Sequence, residues 1–203
     1  VASRKQQKAE TRQRLMVAVA AELASGRSFD TLSLREVAKL AGIAPTSFYR
    51  HFHHMEDLGL ALIDEHGKAL SALMENVRGQ VTRGTSLIRA SVEAVYDFIH
   101  TNQGLSQMIV QESLSPESPF REASENLFVA MSSDLAEYLE QEARERGVPL
   151  GYPRLAANAM VSIMFTTGIS LLNAPEEDHD RHVDAAVIKL KMIMRGAESL
   201  AAK

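Results

Sequence analysis

The segment from Pro45 to Phe52 carries the side chains best suited to contacting a nucleic acid. At about 100° per residue, Thr46 and Arg50 share one side of a helix, with Ser47 and Tyr49 on its flanks. An arginine can make a paired contact with guanine, a hydroxyl can reach either kind of base edge, and a tyrosine can donate to phosphate. The segment therefore predicts recognition of bases and phosphates, although an ordinary solvated helix face would have a similar composition.

Two groups of histidines and acids are the candidates for a metal site. One comprises His51, His53, His54 and Glu56, and the other is the run from Asp178 to His182. The first has no histidine pair four residues apart, and the acids of the second suit the start of a helix. Neither spacing matches a known metal motif, and no phosphate-binding loop or nucleophile elbow occurs. We therefore predict no metal, no cofactor and no catalytic residue, with an enzyme as the rival class to a binding protein.

The residues before this segment predict two short helices that would position it. Ser33 followed three residues later by Glu36 is a capping box, which starts the first helix. Gly42 ends that helix, and Pro45 suits the first position of the next. Two short helices joined by a tight turn with a glycine form a helix-turn-helix, whose second helix enters a major groove.

A small core should hold the helix-turn-helix. Phe48 and Phe52, four residues apart, are predicted to anchor the second helix on the side opposite its polar face. Residues 3–24 are predicted to form a first helix, and Phe29 in the following connector should plug the three-helix core. The basic start of the first helix could lie along the DNA backbone or be an ordinary solvated helix end.

The segment AGIAPTSFYRHFHHMEDL resembles the recognition-helix signature of the tetracycline-repressor (TetR) family of bacterial regulators. The longer run LSLREVAKLAGIAPTSFYRHF is similar to the subgroup that represses unsaturated fatty-acid synthesis (FabR- or DesT-like). The resemblance covers about the first 65 residues. The family often has a lysine near the start of the fourth helix that contacts phosphate, whereas this chain has His53, His54 and Met55, so a histidine would have to replace that contact. Together these arguments predict DNA contacts from Ser33, Arg35, Pro45, Thr46, Ser47, Tyr49, Arg50, His51 and His54.

The charge distribution favours the same end of the chain. Residues 1–54 contain nine Lys and Arg against four Asp and Glu, a net charge of +5, and the remainder carries −9. A basic N-terminal region on an acidic body concentrates positive potential where the DNA-contacting face is predicted. The pattern favours double-stranded DNA as the partner over a membrane surface. A dimeric interaction module without DNA binding is a third class.

Composition predicts a cytoplasmic protein. The 203 residues include no Cys, which fits a reducing compartment, and the charged start of the sequence does not look like a secretory signal. The uncharged stretch 155–174 is long enough to cross a bilayer, but its polar residues and the lack of flanking basic clusters predict a buried helix instead.

The predicted fold is all-α, with about nine helices in two domains. Residues 1–54 are expected to form the helix-turn-helix DNA-binding domain and residues 55–203 the effector-binding and dimerisation domain. The predicted helices of the second domain are 55–78, 85–100, 105–111, 119–146, 155–174 and 178–200. A seam at spacings of three and four in the last helix predicts either a homodimer interface, which we favour, or packing within one chain. The predicted interface residues are Val183, Ala186, Leu190, Ile193 and Ala197.

The middle helices are predicted to enclose an effector site. Many methionines and small residues around few polar groups suit a long, flexible, apolar guest, although residues at helical spacing are more often plain core. The candidate walls are Ile63, His66, Leu70, Val92, Tyr96, Ile99, Met108, Phe128, Met131, Leu135, Phe165 and Gly168. The resemblance implies a long-chain acyl thioester, such as acyl-coenzyme A, as the effector. A twofold dimer with one recognition segment per subunit predicts a near-palindromic operator, and the effector would change the affinity for it through a two-state change of the protein. The alternative is a TetR-type repressor that answers to a different hydrophobic molecule, such as a drug or efflux substrate.

Overall fold

Helices account for the regular structure of residues 3–80, 87–172 and 174–201, which the computed structural model describes. The α-helices are Arg4–Ala24 (α1), Leu34–Leu40 (α2), Pro45–Phe48 (α3), Met55–Gln80 (α4), Leu87–Thr101 (α5), Gln103–Leu114 (α6), Arg121–Arg146 (α7), Pro153–Leu172 (α8) and His179–Ala201 (α9). Short 3-10 turns lie at Phe29–Thr31 and Glu176–Asp178. The predicted all-α class with an N-terminal helix-turn-helix is confirmed.

The chain divides into two compact units whose limits differ from the predicted boundary after residue 54. Unit 1 comprises Val1–Lys68 and Asn102–Glu125, and unit 2 comprises Ala69–Thr101 and Asn126–Lys203. Unit 1 therefore contains α1 to α3, the first half of α4, all of α6 and the start of α7. Unit 2 contains the rest of α4, α5, most of α7, α8 and α9.

Two close contacts explain why α6 and the start of α7 belong to unit 1. A Cβ added to Gly104 in α6 would lie 2.2 Å from the backbone carbonyl carbon of Leu23 in α1, so only glycine permits this approach of the two helices. Phe29 is buried, as predicted, and its ring meets that of Phe120 edge-on, with the centroids 5.0 Å apart. Phe29 of the N-terminal core thus packs against Phe120, a residue 91 positions later in the chain.

The core of unit 1 is made where α1, α2 and α3 meet. Leu15, Val19 and Leu23 lie in the buried stripe of α1, and Val37 and Ala38 of α2 are fully buried. Phe48 in α3 is also fully buried. Truncating such a phenylalanine to alanine typically costs about 3–5 kcal/mol of the free energy of unfolding, so this ring fixes α3 firmly.

In unit 2, α5, α8 and α9 pack around a shared apolar cluster. Ala157 and Met160 of α8 lie in this cluster with Val92 of α5. The α9 seam faces the same cluster: Val183, Ala186, Leu190 and Ala197 are buried within the chain, and Ile193 is half-buried against it.

The burial of this seam corrects the assignment of the predicted interface residues. Four of the five side chains are already buried within the chain and leave little surface for a second subunit, while Ile193 is only half-buried. The spacing identified the inward face of α9 correctly, but the partner across it is the same chain. Ile188 and Met192, on the outward side of α9, are 59% and 68% exposed.

Among the described helices, α8 is the one whose length and composition would allow it to cross a bilayer, with a mean hydropathy of 1.6. Core helices of globular proteins often have this composition. Ala157, Met160 and Val161 of α8 are buried inside unit 2. Another side of the helix is exposed along Asn158, Ser162 and Thr166, so α8 is not buried all round as the uncharged stretch predicted.

Candidate nucleic-acid interface and ligand cavity

The polar face of the segment after the turn is solvent-exposed, as predicted. Pro45 is the first residue of α3, a single turn, and the backbone continues in tight turns to Phe52. Phe48 and Phe52 are 0% and 4% exposed, whereas Thr46 and Arg50 face solvent. This orientation presents hydroxyl and guanidinium groups outward from a rigid apolar base, the arrangement that a base-contacting segment needs.

The helix before the turn begins as predicted, but only half of its capping box forms. The Glu36 N–H donates to the Ser33 hydroxyl at 3.3 Å. The Glu36 carboxylate instead accepts from the Arg27 guanidinium at 2.6 Å, and Glu22 accepts from the same guanidinium at 2.8 Å. The hydrogen bond from Arg27 holds the pKa of the Glu36 carboxyl below its usual range. The ion pairs join α1 to α2 and thereby hold the two helices that support α3.

A basic cluster from α1 lies beside the DNA-contacting segment. The Arg12 guanidinium carbon lies 4.4 Å from the centre of the Phe52 ring. Burial lowers the pKa of His51, and the charges of Lys8, Arg12 and Arg50 lower it further. Among the described residues the Nδ1 atom of His51 is buried without a hydrogen-bond partner. The start of α1 therefore adds positive charge beside the predicted DNA-contacting segment.

The sequence argument left the basic start of α1 between two interpretations and did not single out Lys8 and Arg12, although their spacing carried a signal. Residues four apart on a helix share a face, so both side chains belong to one stripe of α1. Only the folded chain shows that this stripe points toward Phe52 and His51.

The histidines after the segment have a structural role at the start of α4. The backbone N–H groups of His53 and His54 donate to the Asp57 carboxylate at 2.8 and 3.0 Å, and these bonds lower the Asp57 pKa. The imidazole of His54 is exposed, where it could reach a phosphate. Within the described ranges, no three His, Asp or Glu side chains are grouped as metal ligands.

Unit 2 contains a cavity of about 920 Å³ that lies between residues of α4, α5, α7, α8 and α9. Its wall is mostly apolar. Five of the nine methionines of the chain line it: Met74, Met131, Met160, Met164 and Met194. Methionine is flexible and polarizable, so this wall can adapt to an irregular or extended apolar guest.

The polar groups of the cavity are concentrated around Arg78. The Arg78 side chain is 15% exposed, and its Nη2 atom lies 3.0 Å from a carboxylate oxygen of Asp134. The guanidinium carbon lies 4.6 Å from the centre of the Tyr138 ring. Burial, and then the Glu142 carboxylate, raise the pKa of the Tyr138 hydroxyl, so it stays protonated and can donate a hydrogen bond.

Residues 16–62 match the family model of bacterial regulatory proteins of the tetR family. This range includes α2, α3 and the segment whose outward face is described above. The match covers the segment in which the sequence resembles this family, and it supports a DNA-binding role for that part of the chain alone.

Solved structures with the TetR fold are similar to nearly the whole chain. A TetR-family transcriptional regulator from Streptomyces coelicolor is 18% identical, with a TM-score of 0.73 over 94% of this chain and 97% of that one. GusR from Salmonella enterica is 19% identical, with a TM-score of 0.73 over 91% and 95%. A Clostridium perfringens protein described as a candidate fatty acid metabolism regulator is 13% identical, with a TM-score of 0.69 over 90% and 97%. At these identities the likeness shows the fold alone.

The predicted DNA-contacting residues all belong to unit 1. Tyr49 is 59% exposed, Ser47 and His51 are half-buried, and the rest are exposed. The exposed residues besides Tyr49 are Ser33, Arg35, Pro45, Thr46, Arg50 and His54.

The predicted effector residues are only partly brought together. Leu70, Met131 and Leu135 line the cavity. Ile63, His66 and Met108 are buried in unit 1 instead, where the His66 Nε2 atom lies 3.4 Å from the Ser106 hydroxyl.

The remaining candidates for the effector site serve the packing of unit 2. Val92 belongs to the apolar core, and the Tyr96 hydroxyl hydrogen-bonds to the His179 ring. Two further contacts use the other four residues. The rings of Phe128 and Phe165 meet edge-on at 4.1 Å, and Gly168 makes room for the side chain of Ile99.

Proposed function

We propose that this chain is a TetR-type regulator that represses genes of fatty-acid metabolism, and that a long-chain acyl thioester, such as acyl-coenzyme A, sets its affinity for the operator. The observation that carries the proposal is the methionine-lined cavity of about 920 Å³ in unit 2. A volume of this size is typical of sites that bury an organic ligand. A wall of flexible thioethers suits a long alkyl chain better than a rigid polycyclic compound.

The DNA-binding half of the proposal is supported by the exposed face of the recognition segment and by the basic cluster of α1. Lys8 and Arg12 would contact phosphates, while Arg50 would contact a base edge. Replacing Arg12 by methionine should weaken binding to all sequences alike and lower the salt slope by about one. A duplex selected from a random pool by the purified protein provides the DNA, and fluorescence anisotropy at several salt concentrations provides the slope.

Arg121→Met is the matched control for the Arg12 experiment. Arg121 is exposed in unit 1 and pairs with Glu125 on its own helix. This variant should leave the salt slope unchanged. An unchanged slope in Arg12→Met as well would show that the start of α1 is an ordinary solvated helix end.

The proposed homodimer would use the outward face of α9. Ile188 and Met192 stand four residues apart and are largely exposed, with Asp184 and Arg195 in line on either side of them. A short apolar centre between charged ends is a suitable surface for a twofold contact. Two copies of the recognition segment related in this way require a near-palindromic operator.

Helix α4 belongs partly to each unit, so it is the element that we expect to transmit effector binding to the operator. Met74 and Arg78 of α4 line the cavity, while residues 55–68 of the same helix belong to the unit that carries the DNA-contacting face. An effector that prefers one of two positions of α4 would change operator affinity, and the operator would change effector affinity by the same factor.

The effector proposal is tested by titrating hexadecanoyl-coenzyme A into the complex of protein and selected duplex. A shift in the apparent Kd of the protein for the duplex, in either direction, is expected. A flat titration across chain lengths from eight to eighteen carbons would refute acyl sensing. Ten-carbon probes with different head groups, described in the next subsection, distinguish a protein that senses no acyl chain from one that recognises a different head group.

A second candidate function is a repressor that answers to a lipophilic cation, such as an efflux substrate. Asp134, Glu142 and Glu145 all line the cavity, and this acidic lining favours it. If decyltrimethylammonium, rather than any acyl compound, shifts operator affinity, this candidate replaces the first.

A further inference from the structure

The charged groups of the cavity differ in how deeply they lie. Of the described lining residues, Arg78 and Arg146 are cationic, and Asp134, Glu142 and Glu145 are anionic. The Arg146 side chain is 62% exposed and that of Asp134 is 51% exposed, whereas that of Arg78 is 15% exposed. A ligand whose chain fills the apolar part would therefore meet Arg78 as the buried polar anchor, with the other charges in contact with water.

Arg78 is held in place by two neighbours on α7. Asp134 pairs with one end of the guanidinium, and Tyr138 lies beneath its plane. A guanidinium carries five N–H donors, and among the described residues Arg78 has no second carboxylate partner. The donors that Asp134 does not use, together with the protonated Tyr138 hydroxyl, can serve a ligand oxygen.

We infer that the head group recognised in this cavity is a neutral carbonyl, that of an ester, thioester or amide, which accepts hydrogen bonds from Arg78 and Tyr138. The inference rests on the proposed function, because it assumes that the effector is a chain with a polar end. It adds to the proposed function that the protein recognises the acyl carbonyl and not the group bonded to it, such as coenzyme A.

The electrostatics of the site decide between a neutral and a charged head. Asp134 already balances the charge of Arg78, so a ligand carboxylate would be buried without a net counter-charge, which is costly. The phosphates of coenzyme A would meet Glu142 and Glu145 at the rim and be repelled. A lipophilic cation would meet Arg78 at the deep end, where like charges repel.

The test compares four probes that share a decane-length chain and differ only in the head. They are S-decanoyl-N-acetylcysteamine, decanoate, decanoyl-coenzyme A and decyltrimethylammonium, each titrated calorimetrically into the purified full-length protein below its aggregation concentration. The neutral thioester should bind at least about tenfold more tightly than decanoate or the ammonium compound. Decanoyl-coenzyme A should bind no more tightly than the neutral thioester, because Glu142 and Glu145 repel its phosphates.

A variant pair ties the preference to one residue. Arg78→Met keeps the alkyl stem and removes the donors, so thioester affinity should fall by about tenfold while decanoate affinity changes little. Arg144→Met, at an exposed position of α7 outside the lining, should leave thioester affinity unchanged. Circular dichroism on both variants checks that the helices are retained.

The possible results distinguish a failure of the carbonyl assignment from a failure of the proposed acyl sensing. The carbonyl assignment is overturned if decanoate or the ammonium compound binds as tightly as the thioester. It is also overturned if Arg78→Met binds the thioester as tightly as wild type does. Either result leaves the proposal of a hydrophobic effector intact. No heat of binding from any probe overturns acyl sensing itself.

Discussion

Lowering the pH from 7 to 5 should destabilise the protein through His66. This side chain is 7% exposed, and burial lowers its pKa to about 4 from an ordinary value of 6.5. Between these two values the unfolded chain binds a proton that the folded chain does not. Stability is therefore complete above pH 6.5 and is lost progressively as the pH falls toward 4.

The size of the effect follows from the two pKa values. Linkage gives a loss of about 1 kcal/mol at pH 6 and about 2 kcal/mol at pH 5, with a limit of about 3 kcal/mol below pH 4. Against a typical free energy of unfolding of about 5–15 kcal/mol, a loss of this size is readily measured.

The assay is urea unfolding followed by circular dichroism at pH 7 and pH 5, in wild type and in His66→Gln. Glutamine does not titrate, so the loss between the two pH values should be smaller in the variant by about 2 kcal/mol. His53→Gln, at an exposed position, should behave as wild type does. Equal losses in wild type and His66→Gln would refute the claim that His66 is buried and neutral in unit 1.

Three further predictions concern the recognition segment, the α9 face and the packing of unit 1. Arg50→Ala should relax the preference for one base pair, at a cost of about 1–3 kcal/mol for the preferred base, and a selection experiment that returns the wild-type motif would contradict this. Changing both Ile188 and Met192 to glutamate should yield monomers with an intact helical spectrum, since both side chains are exposed; an unchanged sedimentation coefficient would exclude this face as the interface. Gly104→Ala should lower the free energy of unfolding by about 2 kcal/mol or more, because its new methyl group would overlap the backbone of α1. Gly79→Ala, which has no atom within 4 Å of the new methyl group, should raise the free energy of unfolding slightly. Equal denaturation midpoints for the two variants would refute the close approach of α6 to α1.

The recognition segment was predictable because its determinants are local. A proline at the first helical position and two phenylalanines four apart define both the start of α3 and its buried side, without reference to the rest of the chain. The Ser33 cap was predictable for the same reason. Its reciprocal half was not, because the Glu36 carboxylate had a competing partner in Arg27, nine positions away, and the ion pair displaced the cap.

Contacts between distant residues account for what the sequence did not reveal. The ring of Phe29 packs on that of Phe120, so the N-terminal core includes residues that spacing alone assigns to another domain. The α9 seam shows a related limit. Periodicity identifies a buried face, but the same pattern results whether the covering surface is α5 and α8 or a second subunit.

The effector residues illustrate a third limit, which concerns cavities. Leu70 and Leu135 line open space, while Phe128 and Phe165 fill theirs by packing against each other. All four are apolar residues at helical spacing. Whether such a residue faces a cavity or a neighbour depends on the combined volumes of several helices, which no single segment encodes.

The methionine wall of the cavity makes this protein sensitive to peroxide. Oxidation of a thioether to its sulfoxide turns a soft apolar surface into a polar, chiral one. Five such side chains border the cavity, so oxidant exposure should abolish uptake of an alkyl chain before it unfolds the helices. A guest that fills the space would shield the same sulfurs, so the rate at which each gains 16 mass units by mass spectrometry would report occupancy of the site without any label.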